Sequence, residues 1–150
     1  MLKHVPALLT PDALHALASM GHGDELAIVD AHFPAARIAA RHGARLVHLA
    51  GADMPSVLRA VLELMPLDAQ STEAAWTMQV IGDASAVPPA VAQVQLVLRA
   101  AHERPAIALE RFAFYERAAQ AYAILPCGET RTYGNVLLRK GVVADGEALR

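Results

Sequence analysis

Apolar positions recur along this chain in two rhythms. After Thr10-Pro11-Asp12, the residues Leu14, Leu17 and Ala18 fall at helical spacing. Thr10 can cap such a helix, Pro11 suits its first turn, Asp12 complements its dipole and Gly21 can close it. Residues 26–29, Leu-Ala-Ile-Val, form instead a continuous apolar run of strand length, which predicts burial on both faces. After the interruption at Pro34, residues 35–41 fit a short helix ending at Gly43, and residues 45–49 a second strand. Residues 53–65 give the clearest helix: Asp53 caps it, Pro55 lies in its first turn, and Val57, Leu58, Val61, Leu62 and Met65 share one face.

The same alternation continues to the carboxyl side. Residues 75–81 read as a third strand, ended by Gly82-Asp83. Pro88-Pro89 opens a helix running to about residue 101, with Val91, Val94, Gln95 and Leu98 on one side. A fourth strand over 106–109 leads at once into an aromatic-rich helix over 111–118. A fifth strand over 122–125 is closed by Pro126-Cys127-Gly128, and Val136-Leu137-Leu138 forms the last. Strands and helices thus alternate throughout. The expected fold is a single layered α/β domain, its central sheet largely parallel or mixed and flanked by helices. It spans residues 1–150, with the tail after about residue 142 left unassigned.

Composition sharpens this in three ways. At 150 residues, 55% of them hydrophobic and 19% charged, the chain can bury a core without disulfides or metals and has apolar surface to spare for contacts between subunits. The formal charge of −2 comes with no basic patch, which argues against a nucleic-acid partner. Cys127 is the single cysteine, so no intrachain disulfide forms; this agrees with a reducing cytoplasm, the expected location. The opening Met1-Leu2-Lys3-His4 lacks the long apolar core of a signal peptide, and no apolar run reaches the roughly 18 residues needed to cross a bilayer.

Chemistry concentrates in a few places. His22 lies between Gly21 and Gly23, on a turn just before the first strand, where an oriented imidazole can exchange protons near neutral pH. A polar capping turn with an incidental histidine fits the same residues. Asp30 follows a buried strand, so a rigid element aims its carboxylate. His32 serves either as a second base or, the favoured reading, as a brace for the loop; Asp24 and Glu25 read as solvated turn charges. Arg111 sits at a strand end, its forked donors suited to sugar hydroxyls or a carboxylate, or to a surface ion pair. Tyr133 and Asn135 bracket Gly134, which lets backbone approach a ligand closely; a plain turn between strands fits them too. Phosphate loops, dinucleotide fingerprints and nucleophile elbows are missing. His22, His32 and Asp30 lack the spacing of a recognised metal motif, so no metal and no cofactor are expected. The His22 turn precedes a strand while Asp30 and Arg111 follow strands. If they share a site, an antiparallel strand or a second subunit must bring them together.

Four segments carry a family resemblance. Met20-Gly-His-Gly-Asp-Glu25, Asp30-Ala-His-Phe-Pro34, Arg111-Phe-Ala-Phe-Tyr-Glu-Arg-Ala118 and Tyr133-Gly-Asn135 occur in the order and at the separations of the sugar mutarotase family of L-fucose mutarotase and D-ribose pyranase. The Arg-Phe-Ala-Phe-Tyr segment and Gly134 resemble the fucose branch. The resemblance implies an isomerase that interconverts the α and β anomers of a free monosaccharide by acid–base ring opening and closure. His22 is then the catalytic acid, with Tyr133 assisting, and Asp30, Arg111, Tyr133, Gly134 and Asn135 hold the sugar. It also implies rings of subunits, pentamers paired into a homodecamer, with sites near subunit contacts. A ribose pyranase activity, or a monosaccharide-binding sensor without turnover, stays open as an alternative.

Overall fold

In the computed structural model, which describes residues 2–144, eleven elements follow one another in the order the sequence pattern predicts, helix and strand alternating up to β5. They are α1 (Pro11–Ser19), β1 (Glu25–Val29), α2 (Ala35–His42), β2 (Arg45–Leu46), α3 (Met54–Leu62) and β3 (Ala75–Met78), then α4 (Pro89–Ala100), β4 (Ile107–Leu109), α5 (Arg111–Ala119), β5 (Ala123–Pro126) and β6 (Val136–Arg139). Residues 145–150, most of the unassigned tail, and Met1 lie outside the described residues.

The six strands form one sheet in the order β2-β5-β1-β6-β3-β4. The pairs β1/β5, β2/β5 and β3/β4 are parallel, while β6 runs antiparallel to both β1 and β3. The sheet is therefore mixed, and β6 is the strand that reverses. Its register pairs Leu26 with Leu138 and Ile28 with Val136.

Helices cover both faces, which is why β1 reads as an unbroken apolar run. Leu26 and Ile28 face a core filled from α1, α3 and α4, including Leu17, Leu58, Val61, Val94 and Leu98. Ala27 and Val29 face a smaller core with Ile38 of α2 and Phe114 and Ala118 of α5. Trp76, 1% exposed, anchors that second face.

Most boundaries agree with the sequence pattern, and the departures have physical causes. Helix α1 stops at Ser19 rather than at Gly21, because Met20 is already extended (φ −66°, ψ 138°). Lys140, from the far end of the chain, donates its Nζ to the carbonyls of Leu17 and Met20 at 2.8 and 2.7 Å and does the work expected of a C-terminal glycine. Gly43 does close α2 in the left-handed conformation, φ 76°. Helix α3 ends at Leu62, short of Met65, ahead of Pro66. Strand β2 has only two residues, rejoining β5's end through a bridge between Leu49 and Cys127, and β3 ends at Met78 before a tight turn with Gly82 at φ 79°.

Candidate functional site

Strand β6 decides which residues meet. Because it runs against its neighbours, the loop that enters it arrives at the carboxyl ends of β1 and β4. Tyr133, Gly134 and Asn135 therefore lie beside Asp30 and Arg111 without help from a second subunit.

Asp30, 4% exposed, is held by reciprocal bonds: Asn135 Nδ2 donates to its Oδ2 at 2.9 Å, and its own backbone N–H donates to Asn135 Oδ1 at 2.9 Å. The His32 backbone N–H donates to Asp30 Oδ1 at 3.0 Å. These bonds satisfy a buried charge and fix its direction. The His32 ring is itself braced, its Nε2 3.0 Å from the Thr130 carbonyl oxygen.

The entering loop is tightly constrained. Tyr133 has φ 64°, an uncommon conformation for an aromatic residue, and its Oη accepts the Ile81 N–H at 3.2 Å. Gly134 is required by space: a Cβ there would stand 2.5 Å from Glu129 Cγ and 3.4 Å from Asp30 Cβ. Glu129 cannot yield, since Arg131 grips both its oxygens at 2.9 and 2.8 Å and its backbone carbonyl accepts the Ala31 N–H. The Arg131 guanidinium holds the Glu129 carboxyl down at about 2, well below the ordinary carboxylate range.

Arg111 opens α5 directly after β4. Glu110 caps the helix by accepting the N–H groups of Phe112 and Ala113. The Arg111 guanidinium lies 4.6 Å from the Phe112 ring centre, and its Nε is buried without a hydrogen-bond partner among the described residues. Asp30, His32, Arg111, Tyr133 and Asn135 share a cavity of about 200 Å³ with Phe33, Met78, Ile81 and Tyr115. Its lining combines hydrogen-bonding and apolar side chains. A larger hollow of about 640 Å³ opens near the start of β1, between Glu25, Arg117 and Arg139, but these arginines already spend donors on Glu25.

His22 does not join the other five residues within one chain. It lies before β1 and Asp30 after it, so the whole strand separates them, roughly 16 Å at ~3.3 Å per residue. At that opposite end the His22 Nε2 stands 3.4 Å from Asp68 Oδ1. The imidazole is 45% exposed while the carboxylate is 5% exposed, so the pair presents an oriented ring to its surroundings. The Ser71 hydroxyl, then the Gln70 N–H and His22, hold the Asp68 carboxyl down at about 2. Asp68 escaped the sequence reading because it is 46 residues from its partner and lies outside every motif; the Asp-Ala-Gln-Ser spacing of a self-bonded turn was the only trace. Among the described residues, no three His, Cys, Asp or Glu side chains cluster so as to hold a metal ion, and no helix is long and apolar enough to cross a membrane.

A polar-and-apolar pocket at the strand ends of a mixed α/β sheet, faced by forked and carboxylate hydrogen-bonding groups, defines a small-molecule site. The chain belongs to the RbsD / FucU transport protein family, whose model matches residues 3–143. It is 44% identical over 147 residues to the fucose mutarotase of Homo sapiens, covering 95% of each chain. Among solved structures it resembles the fucose mutarotase of Streptococcus pneumoniae in complex with L-fucose, with TM-score 0.87, 36% identity, and coverage of 95% of this chain and 100% of that one. It also resembles Bacillus subtilis RbsD complexed with D-ribose, at TM-score 0.72 and 21% identity over 96% of this chain and 100% of that one, a likeness of fold alone. Within the family the chain is thus nearer the fucose mutarotases.

Proposed function

We propose that this chain is an L-fucose mutarotase, an isomerase exchanging the α and β anomers of the free sugar. The observation that carries the reading is similarity over nearly the whole chain to proteins named for that activity. The cavity supports it: Asp30, Arg111 and Asn135 suit ring hydroxyls, while Phe33, Met78 and Ile81 suit the methyl of a 6-deoxy sugar.

Mutarotation is proton transfer. The anomeric hydroxyl gives up its proton as the carbonyl forms, the bond from C1 to the ring oxygen breaks, and the ring oxygen gains a proton. Closure on the other carbonyl face reverses these steps. Two positioned acid–base groups suffice, each typically contributing about 10²–10⁴-fold. Tyr133 is assigned to one oxygen. Its Oη already accepts the Ile81 N–H, which leaves its own proton free to donate. His22 is assigned to the other, with Asp68 orienting the ring.

With His22 and Asp30 at opposite ends of β1, the assignment of His22 calls for a neighbouring copy to deliver the imidazole. We infer a closed assembly, a pentamer-based ring or decamer, in which the His22 end of one subunit abuts the sugar pocket of the next. Exchange NMR on the anomeric protons of L-fucose tests the function. Accelerated α/β exchange is expected, and binding without exchange would leave a sugar-binding module instead.

A further inference from the structure

We propose that Ser71, held by Arg139, is a positioning residue that keeps Asp68 turned toward His22; the proposal rests on the acid–base reading of His22. Arg139 carries donors only. Its Nη1 donates to Ser71 Oγ at 3.1 Å, while its Nε and Nη2 donate to Glu25 Oε1 at 3.2 and 3.1 Å. Arg117 fixes the same carboxylate at 2.9 and 2.7 Å. Both guanidiniums lie against Trp76, 3.5 Å from the ring centre for Arg117 and 5.2 Å for Arg139. Arg139 is therefore tied to a carboxylate and a buried aromatic ring before it reaches Ser71.

The direction of the chain of bonds follows. Since Ser71 Oγ accepts from Arg139, its own proton is available to Asp68, and it donates to Oδ2. The Gln70 N–H donates to Oδ1 at 3.0 Å, and this is the oxygen that faces His22. The Asp68 backbone is pinned as well, its N–H donating to the Arg139 carbonyl at 3.1 Å and its carbonyl accepting Arg104 Nη2 at 2.6 Å. What remains free is rotation of the carboxylate, and the Ser71 hydroxyl opposes that rotation. At 3.4 Å the contact with His22 stands at the outer limit of a hydrogen bond, so a small rotation would lose it. The other charged groups near the pair are Asp24 on the His22 turn, Lys140 and Arg139 on the β6 side, and Arg104 after α4. All of them persist when Ser71 alone is changed.

The test is Ser71→Ala, with Ser71→Thr as the conservative partner, in the assembled protein with L-fucose. Ser71 is only partly buried, so truncation opens no core cavity. In Ser71→Ala, kcat is expected to fall about tenfold, the size of one hydrogen bond to a charged group, with KM unchanged. The His22 ring resonances, followed by NMR at fixed pH without substrate, are expected to shift as the imidazole loses its oriented partner. Ser71→Thr is expected to restore both. A folded Ser71→Ala protein with wild-type kcat and wild-type His22 ring resonances would overturn the proposal. If Ser71→Ala fails to assemble, Ser71→Cys keeps the volume with a weaker donor and is read by the same two measurements. Wild-type exchange by His22→Asn would overturn the acid–base reading itself, whereas the His22 ring resonances of Ser71→Ala still judge the brace.

Discussion

The two ends of the central sheet are built differently. At the carboxyl ends of β1 and β4, the carboxylates and the backbone are locked: Asp30 to Asn135, Glu129 to Arg131, the His32 ring to a carbonyl, and Gly134 wedged where no side chain fits. At the other end, His22 stands 45% exposed on a glycine-flanked turn, with the Asp68 carboxylate 3.4 Å from its Nε2. A rigid cavity at one end and a presented imidazole at the other are what a site divided between two copies requires. If the proposed roles hold, the difference teaches that grip and proton transfer can be perturbed separately.

The largest effect is expected at the presented end. His22→Asn should lower anomeric exchange by on the order of 10²-fold or more while L-fucose still binds, since the cavity residues are untouched. The turn packs little into the core, so fold and assembly should survive, as circular dichroism and sedimentation would report. Loss of binding along with rate would blur the division between the ends.

At the locked end the expected pattern is weaker binding. Arg111→Lys keeps the charge but loses the planar fork, and should cost roughly 1–3 kcal/mol of affinity by titration calorimetry. Unchanged affinity would move Arg111 out of the sugar's reach. Gly134→Ala forces a methyl against the fixed Glu129 side chain and should cost about 1–3 kcal/mol of stability, with a raised KM. A variant as stable as the parent would show that the loop gives way.

The smallest effect separates the ends by pH. The Glu129 carboxyl is depressed from an ordinary 4.5 to about 2 by Arg131. Its contribution to stability is therefore fully present above the unfolded value and is lost as pH falls through about 2. Wild type and Glu129→Gln should differ in denaturant midpoint at neutral pH and converge as acid is added from about pH 4.5 downward. A difference that stays constant across that range would remove the ion pair from the account.

The order of elements was legible because burial leaves a local mark. The apolar run at 26–29 and the helical spacing at 57, 58, 61 and 62 reflect faces that must be covered. Caps were legible too: Thr10 and Asp53 accept the Ala13 and Ser56 N–H groups at their helix starts. What escaped was settled by partners distant in sequence. Lys140 ends α1 from 120 residues away, and Arg139, Ser71 and Glu25 join into one network although no pattern links them. The antiparallel course of β6 was open in the sequence, which required only that some strand reverse or some subunit intervene. The structure uses the reversed strand for Tyr133, Gly134 and Asn135, and within one chain it leaves His22 at the far end of β1 from them.

The shared site can be tested by mixing two inactive proteins. His22→Asn lacks the imidazole but keeps the cavity, whereas Arg111→Ala keeps the imidazole and loses the grip on the sugar. Each alone should exchange L-fucose anomers slowly. Dissociated and reassembled together, they should form some sites that pair an intact His22 with an intact Arg111 cavity on the neighbouring copy, and exchange should rise well above either parent. Activity in the mixture equal to the average of the two parents, in assemblies shown to be hybrid, would contradict a site divided between subunits.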